Sequence, residues 1–144
     1  ALGFSFPPDF LDKLGSDDII ESYDLEGRQV FRNMRFMQVS SYSLLEIIST
    51  DWQLLFERPA AITKQMLSAI ESCVWHERRT VPASIPQHLI RELRSGQPLA
   101  AEVTFRYFAP LFTGPDRPAG WLAVARGQVA DAALNMQKDN LIFL

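Results

Sequence analysis

The chain has 144 residues, 47% hydrophobic and 22% charged, with a formal net charge of −3, the size and make-up of one domain with one buried core. No Lys/Arg block marks a nucleic-acid partner, and no apolar run nears the ~18 residues of a membrane span. A single cysteine, Cys73, excludes an internal disulfide and a Cys-cluster metal site and suits a reducing, cytoplasmic setting.

In "FPPDFLDKLGSDD", Phe10, Leu11 and Leu14 fall at helical spacing and Gly15 follows as a stop. Residues 1–16 are expected to form an N-terminal helical cap, docked on the core or on a partner subunit. Ile19–Asp24 and Arg28–Phe31 are short β-compatible runs around the turn Asp24-Leu25-Glu26-Gly27, which predicts a hairpin. Met34, Met37, Ser41, Leu44 and Ile48 then share one helical face, with Asn33 placed to cap it and Ser40–Ser43 a potential break.

Asp51 and Trp52 follow a turn, and Pro59 opens a further helix with Ile62, Met66 and Ile70 spaced by four. In "SCVWHERRTVP" residues 74–79 alternate as in a strand, while Ile85, Leu89, Ile90 and Leu93 fit a helix capped by Ser84. "AEVTFRYFAPLF" alternates Val103, Phe105 and Tyr107 with Thr104 and Arg106. A turn cluster and the returning "WLAVARGQV" complete a second hairpin. "ADAALNMQKDNLIFL" reads as an exit helix over 130–144. Two hairpins separated by short helices predict an α+β fold, one antiparallel sheet with helices over one face and a small-ligand cavity between them.

No phosphate-binding loop, zinc-protease or nucleophile-elbow motif is present, and the two histidines, His76 and His88, are few for triad or metal chemistry. The expected role is therefore not enzymatic.

The first segment carries Asp24, Gly27, Arg28, Asn33, Phe36, Ser40, Tyr42, Ser43 and Glu46. The last carries Pro110, Leu111, Asp116, Gly120 and Arg126. In that order these motifs resemble the two ends of the PAS sensory domain family. Ser41 and Ile47 depart from the family pattern, and Gly127-Gln128-Val129 stands where the family has Asp-Ile-Thr. The aspartate of that triplet couples the core to an outgoing helix in the family, so that salt bridge is expected to be missing unless Asp131 substitutes.

The resemblance implies a sheet of about five strands, a sensory core over 17–129 and an exit/signalling helix over 130–144. It also requires a central strand before the final hairpin. Either 74–80 supplies it and 85–93 is an inserted helix, or 85–93 is the last core helix and the strand lies in 97–103. The alternation at 74–79 favours the first.

"RNMRFMQ", residues 32–38, is similar to the Arg-Asn-Cys-Arg-Phe-Leu-Gln run of flavin photosensors, with Met34 at the cysteine position. In the photosensors that run follows a Tyr-Ser helix; here it precedes Tyr42-Ser43. Asn33 is therefore read as a helix cap and Met34 as an ordinary helix residue.

The family binds haem, flavin, small organic ligands or nothing in its cavity. His76 and His88 are the haem-ligand candidates, and Trp52, Trp75 or Trp121 could stack on a flavin. Cys73 is read as buried packing rather than a reactive thiol. The ligand-cavity candidates are Phe31, Met37, Tyr42, Trp52, Phe56, Met66, Phe105 and Tyr107. The resemblance implies a homodimeric sensor of a bacterial signalling protein, relaying to an output domain in the same chain. The alternative is a ligand-free dimerisation module.

Overall fold

The computed structural model describes residues 3–33, 40–93 and 99–129. The expected exit helix, Asp131, Met34, Phe36 and Met37 lie outside the described residues. The strands are β1 (Phe4–Ser5), β2 (Ile19–Asp24), β3 (Gln29–Arg32), β4 (Phe56–Glu57), β5 (Val81–Pro82), β6 (His88–Glu92), β7 (Ala100–Thr113) and β8 (Arg117–Val129). They form one sheet in the order β3-β2-β8-β7-β6-β4, with β1 and β5 also pairing β7. Every pairing is antiparallel. Helices α1 (Leu44–Ile48) and α2 (Ala60–Glu71) lie between the two hairpins in sequence.

The first hairpin forms where its turn residues dictate. Asp24 Oδ1 accepts from the backbone N–H groups of Glu26 (3.0 Å) and Arg28 (2.9 Å), an Asx turn. Gly27 takes φ +83°, which a side chain at that position would resist. Its carbonyl in turn accepts from Trp52 N–H at 3.0 Å, so the turn fixes the segment that carries Trp52.

The main core lies on the inner sheet face, where Ile19, Tyr23, Trp121, Phe105 and Phe108 meet Ile47, Trp52, Ile62, Met66 and Val74. A second cluster on the outer face joins Phe10 to Ala109, Leu111, Leu122 and Val124. The outer face is thus partly covered by the N-terminal segment. That segment is β1 and a single 3-10 turn, Leu11–Lys13, not the expected helix. Phe10 and Leu14 pack on the sheet while Leu11 stays 60% exposed.

The central region corrects three readings. Residues 74–79 are not a strand: α2 runs on into a π-helical turn, Ser72–Glu77, that ends with Arg78 in the left-handed conformation (φ 53°). Arg78 N–H bonds the Cys73 carbonyl at 2.8 Å, and its guanidinium donates to the Asp116 carbonyl at 2.6 Å, tying this turn to the β7–β8 hairpin. Residues 85–93 are not a helix: 88–92 is β6, the central strand, paired with β7 from His88↔Val103 to Arg91↔Ala100. Nor does 97–103 supply that strand, because from Ala100 onward it belongs to β7.

The inward positions of β6 are His88, Ile90 and Glu92, of which His88 and Glu92 are buried. Two of the three are polar. A hydrophobicity pattern sends them to solvent and leaves Leu89 and Leu93, both over 40% exposed, to suggest a helix.

The potential break at Ser40–Ser43 is where the chain is out of helical geometry. α1 begins at a capping box in which Ser43 Oγ accepts from Glu46 N–H and Glu46 accepts from Ser43 N–H. Only Ile47 of α1 is buried; Leu44 and Ile48, expected inward, are exposed. Asn33 spends its side chain on β2, accepting from Ile20 N–H at 3.1 Å and donating to the Asp18 carbonyl at 2.8 Å.

Candidate ligand cavity

Strand alternation in β2 turns Ile19, Glu21 and Tyr23 inward. Tyr23 stacks on Trp121 of β8, ring centroids 4.3 Å apart, and Trp52 meets Trp121 edge-on at 5.8 Å. This aromatic layer closes one end of a cavity of about 40 Å³ between the sheet and α2. The remaining walls include Phe56, Met66, Ile90, Val103 and Phe105, with Ser40, Glu21 and Arg58 as the polar lining.

The polar groups are arranged in two sets. Gln29 Nε2 donates to the Tyr23 hydroxyl at 3.1 Å, and that hydroxyl donates to Glu21 at 2.8 Å. Burial pushes the Glu21 carboxyl above its ordinary value, against the opposing Tyr23 hydrogen bond and the Arg58 and Arg32 charges. Opposite sits Arg58. Its guanidinium lies 5.2 Å from the Trp52 ring centre, Nη1 contacts Met66 Sδ at 2.9 Å, and Nε is buried without a hydrogen-bond partner. Burial pulls the Arg58 pKa below its ordinary value, although Glu21 and Tyr23 work the other way.

Glu92, 2% exposed, ties together segments beside the cavity. It accepts from Ser41 N–H (2.6 Å), the Ser41 and Ser40 hydroxyls, and Leu99 N–H (2.9 Å). One carboxylate thus joins the segment before α1 to β6 and to the start of β7.

Of the ligand-cavity candidates, Trp52, Phe56, Met66 and Phe105 line this cavity. Tyr42 is buried behind it, edge-on to Phe56 at 5.5 Å, with its hydroxyl on the Leu55 carbonyl. Met37 is outside the described residues. Phe31 and Tyr107 are on the other face, each for the same reason. A bulge between Ser22 and Tyr23 breaks the β2–β3 register, and one between Phe105 and Tyr107 breaks the β7–β8 register. Each bulge flips the parity beyond it. Phe31 is 51% exposed, and Tyr107 packs beside the outer cluster under Lys13. Glu21, Tyr23 and Arg58 were missed; the alternation Ile19, Glu21, Tyr23 was the available signal for the first two.

His76 is exposed on the π-helical turn. His88 is 7% exposed, its ring near-parallel to Phe105 at 6.0 Å. Its Nδ1 donates to the Pro86 carbonyl at 2.9 Å, which leaves Nε2 as a buried acceptor without a partner. Burial, aided by the Arg58 charge, lowers its pKa despite the Pro86 bond. Cys73 is fully buried, its thiol pushed up to about 12 chiefly by burial, as expected of a packing residue. Trp121 lines the cavity, whereas Trp75 is half exposed at the surface.

Volume decides which cofactors fit. About 40 Å³ holds about three waters or a few heavy atoms, against the roughly 300–1,000 Å³ of pockets for drug-sized ligands. As it stands among the described residues, the cavity is too small for a flavin or a haem. Among the described residues, no cluster of three or more His, Cys, Asp or Glu could hold a metal ion, and no helix is long and apolar enough to cross a membrane.

The sequence matches no family model, and no curated protein shows significant similarity to it. Solved structures do. The PAS domain of a protein from Colwellia psychrerythraea superposes with a TM-score of 0.53 at 20% identity, covering 78% of this chain and 86% of that one. A fungal LOV domain photoreceptor gives 0.53 at 19% identity, covering 85% and 82%. The PAS-B domain of Drosophila melanogaster Cycle, solved with bound ethylene glycol, gives 0.52 at 14% identity, covering 78% and 99%. With the strand order and helix placement described above, these likenesses establish that the chain has a PAS-like fold.

Proposed function

We propose that this chain is a PAS-type sensory module that binds a small molecule in the inner cavity and is not an enzyme. The observation that carries the reading is the polar set enclosed there. Glu21, Tyr23 and Arg58 converge on a pre-formed space, and Arg58 Nε has no partner among the described residues. A buried polar group without a hydrogen bond costs stability, and a ligand offsets that cost only if it binds there. The module would act in the cytoplasm of a bacterial signalling protein. It would pass ligand binding, as a population shift, through residues 130–144 to an output domain.

Mass spectrometry of a denatured extract of the purified protein tests this, together with its visible absorbance. A stoichiometric small molecule in the extract and a colourless sample are expected. A core that is empty as purified and takes up no small molecule in titration would overturn ligand sensing.

The alternative, ligand-free assembly, is favoured by a separate observation. Phe4, Phe6, Leu11, Val30 and Phe31 border one outer-face groove and are all 39–60% exposed. Such a patch marks an association surface, and a homodimer through it is compatible with sensing on the inner face.

A further inference from the structure

We propose that the inner cavity takes a small monocarboxylate, its carboxylate on the Arg58 guanidinium and its short carbon tail against the apolar walls. The inference rests on the sensory reading above and names the ligand chemistry of that site.

Arg58 is the sole basic residue lining the cavity among the described residues. An arginine in a protein stays charged, and a charge withdrawn from water needs a counter-charge. None of the described carboxylates forms an ion pair with it. Its hydrogen bond goes to a thioether sulfur, a weak acceptor, and Nε is buried with no acceptor among the described residues.

The other ionisable group facing the space, Glu21, is engaged by Tyr23. Its charge favours the Arg58 cation at a distance, but no ion pair joins the two among the described residues. A planar guanidinium with donors free is best met by the two oxygens of a carboxylate. Trp52, across from it, sits under the cationic face at 5.2 Å and helps hold the guanidinium in place.

The rest of the lining selects the remainder of the ligand. Phe56, Met66, Ile90, Val103 and Phe105 offer apolar surface, and the volume of about 40 Å³ admits only a few heavy atoms. Acetate and propionate match these limits. A dicarboxylate would leave a second charge against apolar walls, and an ammonium would face Arg58.

The test is a titration of the isotope-labelled chain, followed by NMR on the Arg58 Nε–H and Trp52 indole N–H signals, with calorimetry in parallel. Propionate and acetate are the probes; propionamide and propylammonium are the controls. Saturable shifts of both signals with propionate are expected, weaker by about tenfold or more with propionamide and absent with propylammonium. Arg58→Met, close in apolar bulk, should weaken propionate by about tenfold or more while keeping the wild-type circular dichroism; Arg58→Lys should lose less.

Equal affinity for propionate and propionamide would overturn the proposal on the wild-type protein alone, whether or not Arg58→Met folds. Undiminished binding by a folded Arg58→Met would also overturn it. No carboxylate binding, but a non-carboxylate molecule in the denatured extract, would remove this proposal and leave sensing standing. No binding by any probe and an empty extract would remove both.

Discussion

The carboxylate of Asp18, one residue before β2, accepts a 3.2 Å hydrogen bond from Nε of Arg126, near the end of β8. Arg106 of β7 donates to the same carboxylate, as does Gly15 N–H at 2.6 Å. Asp18 is 1% exposed. Burial alone would raise its pKa, but the Gly15 bond and the two guanidiniums outweigh it and hold the carboxyl below its ordinary value. The resemblance led us to expect this end of the fold to lack its Asp-based salt bridge. Asp18 with Arg126 instead ties the start of β2 to the end of β8, while the outgoing segment lies outside the described residues.

Asp18→Asn should therefore destabilise the domain by about 1–3 kcal/mol, because it swaps a buried carboxylate bonded to partly exposed guanidiniums for weaker neutral contacts. Because the folded pKa is depressed, the contribution is complete above the ordinary aspartate value of about 3.9. It is lost as pH falls through the lower folded value. Urea melts of both proteins should keep a constant gap from pH 7 to about 5 and converge in stronger acid. A gap that is already absent at neutral pH would show that the cluster contributes nothing net.

Glu21 should show the opposite sign. Its folded pKa is raised, mainly by burial, so its favourable contribution is present below the ordinary glutamate value and disappears as pH rises through the folded value. Glu21→Gln keeps an oxygen for the Tyr23 hydroxyl and removes the charge. It should gain about 1 kcal/mol over wild type at neutral pH, and less near pH 4. Thermal melts at the two pH values read the difference. A larger gain in acid than at neutrality would contradict the burial argument.

Gly120 is required by a close approach between β2 and β8. A Cβ there would fall 1.9 Å from the Tyr23 carbonyl oxygen and 3.1 Å from Asp24 Cα, atoms of backbone that cannot turn aside. Gly120→Ala must push β2 away beside the Tyr23–Trp121 stack that ends the cavity. A loss of about 3 kcal/mol or more is expected, together with a change in tryptophan fluorescence. Wild-type stability in this variant would mean the strands separate more easily than the spacing implies.

Much of the fold was legible where local chemistry and global structure agree. The Asp24–Gly27 turn, the two hairpins and the α2 face of Ile62 and Met66 all stand where periodicity and turn residues put them. The failures share physical causes. β6 was hidden because His88 and Glu92, polar and buried, occupy its inward positions. Residues 74–79 alternated by chance along a helix that tightens no further but widens into a π turn.

Phe31 and Tyr107 were placed in the cavity by simple parity, which bulges invert. Arg58 carried no sequence signal at all, since a charge before Pro59 reads as solvated loop. Four of the eight cavity candidates nonetheless line the cavity, because aromatic and methionine side chains on inward strands and helices have few other places to go.

The residues of the outer face divide into structural and exposed. Phe10 is 3% exposed and packs with Leu111, Leu122 and Val124, so Phe10→Ala should cost about 3–5 kcal/mol whatever the oligomeric state. Leu11 and Phe31 are 60% and 51% exposed, so Leu11→Ser and Phe31→Ser should each change monomer stability by no more than about 0.5 kcal/mol. If the groove they border is a dimer interface, both substitutions remove apolar area from it. Light scattering after size exclusion should then show wild type at twice the chain mass and the double variant at the chain mass, with matching circular dichroism. A wild-type monomer, or a double variant that remains dimeric, would reject the groove as the interface and leave those side chains simply solvated.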